Sequence, residues 1–153
     1  MKKLLIGLGA VFGAILVVVA AAIAYFSVTG NALDKESQAY VDSAVPAIAL
    51  HWSQDELTRR ASAEFTRAVK DDDLVKLLSV FRRDLGDLRK YEGSTGDAFI
   101  SLTTQNGKVI TANYVASAEF ENASATIHVK LIKHGEGWQI LGFHVNSRAF
   151  LDH

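Results

Sequence analysis

The sequence of 153 residues predicts an α+β fold, in which helices pack on one face of a four-stranded antiparallel sheet behind an N-terminal transmembrane helix. Three observations lead to this prediction. An unbroken apolar run occupies Leu4–Phe26, apolar residues then recur at helical spacing to about residue 88, and the period becomes that of strands after Tyr91-Glu92-Gly93. Helices followed by consecutive strands are typical of this class.

The run Leu4–Phe26 has about the length of helix that crosses the hydrocarbon core of a bilayer. Two lysines precede it, whereas residues 27–33 carry no Lys or Arg. The positive-inside bias therefore predicts an anchor in a bacterial inner membrane, with a cytoplasmic N-terminus and a periplasmic domain. Gly9 and Gly13 form a GxxxG motif, whose small residues would let two such helices pack closely in a homo-oligomer.

The predicted organisation is an anchor over residues 1–26, a linker over 27–33, one folded domain over 34–148 and a tail over 149–153. A signal peptide cleaved at Ala22-Ile23-Ala24 is the alternative for the first segment, and it would release the domain into the periplasm. The first 26 residues hold two of the 16 basic side chains and none of the 17 acidic ones. The remainder is therefore slightly acidic and lacks clustered Lys and Arg, which argues against a nucleic-acid partner.

Four helices are expected after the linker. Asp34 should cap the first, and Pro46 should kink or split it. Ser53-Gln54-Asp55-Glu56 matches a capping box, in which the Ser and Glu side chains each bond an early amide, and a short second helix should follow. A third is expected over Glu64–Val69. The apolar positions of the first helix are Val41, Ala44, Val45, Ile48 and Trp52.

The fourth helix should begin at Asp71-Asp72-Asp73, because the helix dipole favours negative charge at an N-terminus. Its apolar residues form one stripe that we expect to be buried. The stripe consists of Leu74, Leu77, Leu78, Phe81, Leu85 and Leu88.

Alternating residues then predict four strands joined by short turns, and so an antiparallel meander. The strands are expected over Ala98–Thr104, Val109–Phe120, Ser124–Lys133 and Trp138–Val145. Asn106-Gly107 is a strong two-residue hairpin signal, and Asn122-Ala123 and Gly135–Gly137 mark the other turns.

The strand half of the chain resembles the cystatin-like/NTF2-like superfamily. The resemblance is carried by Gly-Lys-Val-Ile-Thr-Ala-Asn-Tyr, Ala-Thr-Ile-His-Val-Lys-Leu-Ile-Lys and Gly-Trp-Gln-Ile-Leu-Gly-Phe-His-Val after a helical half, over about residues 34–148. It implies a curved sheet that wraps its helices. The superfamily includes enzymes, binding domains and membrane-anchored scaffold subunits such as the VirB8-like proteins of type IV secretion, whose layout this chain resembles.

The turns also predict which residues pair across the sheet. They pair Phe99 with Tyr114, Ala118 with Ile127, and Val129 with Phe143. The helix-covered face would then carry Phe99, Ile110, Tyr114, Ala118, Ile127, Val129, Leu131, Leu141, Phe143 and Val145.

The same pairing leaves apolar residues on the opposite face, which would be polar if it met only water. We interpret them as a candidate partner surface, since such patches mark contacts. Two alternatives remain open: the tail residues Arg148, Phe150 and Leu151 cover the patch, or a shifted register redistributes it. The candidate surface consists of Ile100, Leu102, Val115, Ile132, Trp138 and Ile140.

No motif of an enzyme or of a nucleotide or metal site occurs in the sequence, so we expect no catalytic residue, no metal ligand and no cofactor. His128 and His144 are predicted to face each other on adjacent strands. They would be half-exposed polar residues, a pH-sensitive contact, or two ligands of a metal if Glu119 approached as a third.

These observations favour a non-enzymatic, membrane-anchored interaction module that serves as an accessory or scaffold subunit of a bacterial envelope complex. Its partners would be the membrane and either another protein or further copies of itself. The alternative functions are a domain that binds a small apolar ligand in the cone between sheet and helices and, third, a minor enzyme of the superfamily.

Overall fold

The computed structural model describes the backbone of residues 2–151 and the side chains of residues 15–24 and 30–151. The chain forms two compact units, Met1–Leu33 and Asp34–His153. Much of the predicted anchor, including Gly9 and Gly13, lies outside the described side chains. Among the residues that are described, no helix is both long and apolar enough to cross a membrane. The transmembrane anchor therefore stays a prediction.

The second unit is an α+β domain, which confirms the predicted class. Its helices are α1, which begins in the first unit, and three shorter ones. Their bounds are α1 Lys2–Ala49, α2 Gln54–Arg60, α3 Ala63–Ala68 and α4 Asp71–Leu85.

One expectation for α1 is wrong, and one of the two effects expected of Pro46 does not occur. Asp34 does not cap a helix, because α1 runs through this position and the Asp34 carboxylate accepts a hydrogen bond from the backbone N–H of Ala98 instead. Pro46 does not split α1, which continues to Ala49. Trp52 lies beyond the helix in a left-handed conformation, with a φ of 51°.

The capping box at α2 is half confirmed. Ser53 is the N-cap, and its hydroxyl accepts from the N–H of Glu56 at 3.3 Å. The N–H of Ser53 donates to the carbonyl of Ile48, and the Glu56 carboxylate pairs with the two following arginines rather than with that amide. Hydrogen bonds from these arginines lower the pKa of Glu56.

Helix α4 begins at the predicted aspartates, and most of its stripe is buried as expected: Leu74, Leu78, Phe81 and Leu85. Leu77 is exposed, because it lies on the flank of the row that these four residues form. Leu88 belongs to the first strand rather than to the helix.

Four strands form an antiparallel meander in the order β1-β2-β3-β4, which confirms the predicted topology. Strand β1 begins ten residues earlier than predicted, since glycines and a register shift between Tyr91 and Ser94 interrupt its alternation. A short 3-10 helix over Arg148–Leu151 follows the sheet. The strands are β1 Leu88–Thr103, β2 Gly107–Phe120, β3 Ser124–His134 and β4 Gly137–Asn146.

The predicted pairing is wrong for β1 and β2. Phe99 pairs with Thr111 instead of Tyr114. The prediction assumed a two-residue turn at Asn106-Gly107, whereas the observed turn has three residues between the paired Thr103 and Gly107. The Thr103 hydroxyl accepts from the N–H of Asn106 within this turn. The error is an odd number of residues, so it moves the side chains of β1 to the opposite face.

The other two registers differ less. Ala118 pairs with Ala125 rather than Ile127, a shift of two residues that leaves the faces unchanged. Val129 pairs with Phe143 as predicted. Leu141 is an extra residue that forms a bulge in β4. Between this bulge and the β3–β4 turn, residues 137–140 therefore pair one position away from the predicted partners.

The inner face of the sheet, which the helices cover, is therefore partly different from the predicted one. Tyr114, Ala118, Ile127, Val129, Leu131 and Val145 are buried as expected. Ile110, Leu141 and Phe143 are half-buried, and Phe99 is 49% exposed. Six residues that were not assigned to this core are also buried: Ala112, Ala116, Phe120, Ala125, Trp138 and Ile140.

Candidate functional site

Side chains pack between the sheet and its helices, apart from a hollow of about 380 Å³ between α4 and β4 whose lining includes Phe81, Phe143 and Phe150. Trp52 packs against Phe81 and Phe120, with ring centroids 5.1 Å apart in both pairs, and its indole N–H donates to the carbonyl of Gly86. The largest side chains with almost no exposure are Ile48, Leu57, Leu85, Ile127, Leu131 and Ile140. Such packing leaves the interior to apolar contacts between helices and sheet rather than to a ligand.

A polar row on α1 lies along the edge strand β1. The row consists of Asp34, Gln38 and Asp42, which are four residues apart and so share one side of the helix. Asp34 accepts from the N–H of Ala98, and Gln38 donates to the carbonyl of Ser94, both at 2.8 Å. Exposed edge groups of a sheet can pair with another chain, and these side chains occupy part of that edge.

Asp42 holds the same edge through hydroxyl groups. One of its carboxylate oxygens accepts from the Tyr91 phenol and from the Ser94 hydroxyl, each at 2.7 Å. Burial, reinforced by the hydrogen bond to Asp42, raises the pKa of Tyr91. The phenol therefore stays protonated as a donor, which is a structural role and not that of a base.

The other edge of the sheet is also covered. Ala61, between α2 and α3, forms a parallel bridge with Ile140, and the N–H of Ser62 donates to the carbonyl of Ile140 at 2.8 Å. The buried Ser62 hydroxyl caps α3 by accepting from the N–H of Phe65. Both edges thus carry helical segments, while the outer face of the sheet remains open.

The outer face combines apolar and polar side chains. In sheet register, one row holds Phe99, Thr111 and Ile132, and another holds Val115, His128 and His144. Phe99 is 49% and Val115 37% exposed, and both histidines are exposed.

Two hollows lie on this face. One of about 460 Å³ is lined by residues that include Asn113, Val115, His128, Gly142 and His144. The second, of about 620 Å³, lies beside it toward the β2–β3 turn. Its lining includes Ser117, Thr126, Asn146, Arg148 and Glu92. The outer face is thus contoured and amphipathic.

His128 and His144 face each other as predicted, with ring centroids 6.1 Å apart. Glu119 is not near them, because it is four residues along β2 from Val115, the partner of His128, or about 13 Å. Within the described part of the chain, no three His, Asp or Glu side chains lie close enough to hold a metal ion. The pair is therefore a feature of the outer hollow.

The six residues of the predicted partner surface do not lie together. Val115 and half-buried Ile132 are on the outer face, as expected. Trp138 and Ile140 are buried on the inner face, so their assignment to the outer face is wrong, and the bulge at Leu141 is the reason.

The remaining two residues of that set, Ile100 and Leu102, belong to β1. The observed register of β1 places them on the inner side of the sheet rather than on the predicted outer face. Ile100 pairs with Ile110 on the inner side and is half-buried. Leu102 is 77% exposed near the β1–β2 turn, beyond the packed interior. Phe150 of the tail does not cover the outer face of the sheet, since it packs against Phe81 of α4 with ring centroids 5.6 Å apart.

Sequence reasoning missed the contacts between α1 and the first half of β1. Gly93 and Gly96 are the signal that was available, because glycines in an alternating stretch often mark a bulge or close backbone approach. At Gly96 the close approach is to β2, because a Cβ there would overlap the carbonyl oxygen of Asn113.

Comparison with protein-family models, with curated proteins and with solved structures found no match to this chain. The α+β architecture, with a four-stranded antiparallel meander and helices on one face, is compatible with a cystatin-like/NTF2-like fold.

Proposed function

We propose that this protein is a membrane-anchored, non-enzymatic accessory or scaffold subunit of a bacterial envelope complex. Its domain is of the cystatin-like/NTF2-like type and binds a protein partner through the outer face of the sheet. The observation that carries this proposal is the contrast between an interior whose centre is packed with buried apolar side chains and an outer face that carries the two larger hollows. A ligand-binding cone requires the opposite arrangement.

The composition of the outer face supports a contact that forms and dissociates. Phe99, Val115 and Ile132 contribute apolar area, and Asn113, His128 and Lys130 lie between or beside them in register. Interfaces between proteins that also exist apart are similarly mixed, with an apolar centre and polar groups that fix orientation. The hollows give such a partner side-chain-sized recesses to fill.

The alternatives have weaker support. A small apolar ligand at the centre of the cone would need the volume that Ile48, Leu131 and Ile140 occupy, and the hollow between α4 and β4 is smaller than those on the outer face. An enzyme would need an accessible acid or base in the interior, whereas Asp34 and Asp42 are engaged with groups of β1.

Site-specific photo-crosslinking in the native host tests the proposal. A photoreactive residue replaces Val115 on the outer face, and the same residue replaces Val75 on α4 as the matched control. Both valines are partly exposed, by 37% and 45%, so they differ chiefly in location. We expect Val115 to give a discrete adduct with one protein, whereas Val75 gives none.

The mass of the adduct identifies its type. An adduct of twice the chain mass indicates a homo-oligomer, and another mass indicates a heterologous partner that peptide analysis can then identify. Equal, diffuse labelling from both positions, or no adduct from Val115, contradicts a specific contact at the outer face.

A further inference from the structure

The β1–β2 hairpin projects beyond the rest of the sheet. Strand β3 begins to pair with β2 at Ile110 and Lys133, whereas β1 and β2 stay paired as far as Thr103 and Gly107. Strand β3 continues one residue further to His134, so two residue pairs and a turn of the hairpin extend about 7 Å past its end. A two-stranded hairpin alone is only marginally stable in water, so this extension would gain from a surface to rest on.

The β1 side of the projecting hairpin carries no charge, and its most exposed side chain is Leu102. Residues 98–107 carry no charge between Asp97 and Lys108. Leu102 is 77% and Phe99 49% exposed. Edge strands that face water usually carry charges, which this segment lacks.

The chain enters the domain at the end from which this hairpin projects. Asp42 of α1 contacts Ser94 and Asp34 contacts Ala98, so α1 followed toward its N-terminus runs in the direction of the hairpin tip. From Ala98, the strand advances about 13 Å further to Leu102. Residues 27–33, which were predicted to form a linker, belong to α1 in the structure.

We propose that the tip of the β1–β2 hairpin inserts into the boundary between headgroups and hydrocarbon of the bilayer that holds the anchor. The inference rests on the anchor of the proposed function but not on its partner surface. Leu102 enters the apolar edge of this boundary, and the stem of Lys108, its cross-strand partner, lies along it with the ammonium among the headgroups. The turn stays at headgroup depth, where its backbone groups keep hydrogen-bonding partners.

Lipid insertion also agrees with the chemistry of the turn. Thr103, Thr104, Gln105 and Asn106 are polar without charge, so headgroups and water can satisfy them at modest desolvation cost. Insertion by this hairpin would hold the domain at a fixed height above the membrane and leave the outer face of the sheet free for a protein.

Fluorescence of the full chain in vesicles tests the inference. The protein has no cysteine, so Leu102→Cys provides a single site for an environment-sensitive nitrobenzoxadiazole label. Asn122→Cys is the matched control, because it lies in the exposed β2–β3 turn at the opposite end of the sheet. Both proteins are placed in phosphatidylcholine–phosphatidylglycerol vesicles at no more than one chain per vesicle, after their melting has been shown to match the wild type.

We expect the label at position 102 to emit at shorter wavelength than the label at 122. Lipids that carry a spin label near the top of the acyl chain should quench it, while the label at 122 stays unquenched. Equal emission and quenching at both positions overturns the inference. Shielding at 102 without lipid quenching also overturns it, in favour of contact with protein. If an alkaline wash removes the chain from the vesicles, the anchor itself fails and the inference with it, whereas a retained chain with an unquenched label at 102 overturns the inference alone.

Discussion

The two faces of the sheet differ in apolar content and in their surroundings. On the inner face, Ala112, Ala116 and Ala118 of β2 are buried, and Tyr114 between them reaches the hydroxyl of Ser37 and the carbonyl of Asp34 on α1. On the outer face, Val115 of the same strand is 37% exposed beside an open hollow. Neighbouring residues of one strand thus differ because only one face has a helical layer to pack against.

The difference teaches that apolar residues on a strand do not by themselves identify a contact surface. Trp138 and Ile140 alternate with Gln139 as they would on either face, and a single extra residue at Leu141 moves them inside. What remains on the outer face is a smaller, mixed surface. Its role as an interface depends on exposure and shape rather than on hydropathy.

The largest expected effect tests the contrast between faces directly. Ile140→Ala should lower the free energy of unfolding by about 2–5 kcal/mol, because it leaves a cavity in the packed centre of the interior. Val115→Ala on the outer face should change it by about 0.5 kcal/mol or less. Denaturant unfolding of both full-length variants in the same detergent measures the two changes. Similar losses in both would mean that Val115 is packed and that the outer face is not free.

A smaller loss of stability is expected when a methyl group is added at one of two glycines, whose added side chains would point to opposite faces of the sheet. Gly96 pairs with Tyr114 on the inner side, and a Cβ there would overlap the Asn113 carbonyl, so Gly96→Ala should cost about 1–3 kcal/mol. Gly142 pairs with Lys130 on the outer side, where a Cβ would lie 3.4 Å from the Lys130 Cβ.

The matched variant Gly142→Ala should therefore be nearly neutral for stability, while it narrows the outer hollow. Thermal melting compares the two variants. A normal melting temperature for Gly96→Ala would contradict the close approach of β1 and β2 at this point.

The smallest effect concerns the alkaline limit of stability. Burial and the hydrogen bond to Asp42 raise the pKa of Tyr91 above its ordinary value of 10.0. The stability that this phenol contributes is therefore fully present below about pH 10 and is lost as the pH rises toward the raised pKa, because the unfolded chain releases the proton first.

Tyr91→Phe should lower stability at neutral pH by about 0.5–1.5 kcal/mol through the lost hydrogen bond. It should also weaken the decline in stability above pH 10. Unfolding measured in steps from pH 8 to about 11 checks both expectations. An unchanged alkaline decline would mean that Tyr91 ionises as it does in the unfolded chain.

Much of the fold could be predicted from sequence because it depends on local patterns. Ser53 at the start of α2 and the aspartates of α4 follow from capping and the helix dipole. The facing of His128 and His144 agrees with the prediction because two deviations cancel: the turn pairs His134 with Gly137 rather than Trp138, and the extra residue Leu141 restores the predicted register beyond it. The open outer hollow was not predictable, because it depends on the shape of neighbouring strands.

By itself, the sequence determined the order of helices and strands, the meander and the long apolar run at the N-terminus. The tertiary structure decided which residues share a face, where β1 begins and which groups Asp34 and Asp42 bind. The physical reason is that side chains alternate along a strand with a period of two. An error of three residues in β1 or of one in β4 exchanges its faces, whereas the error of two between β2 and β3 does not. Turn length and bulges are set by long-range packing, so the identity of the exposed surface is decided only when the sheet is assembled.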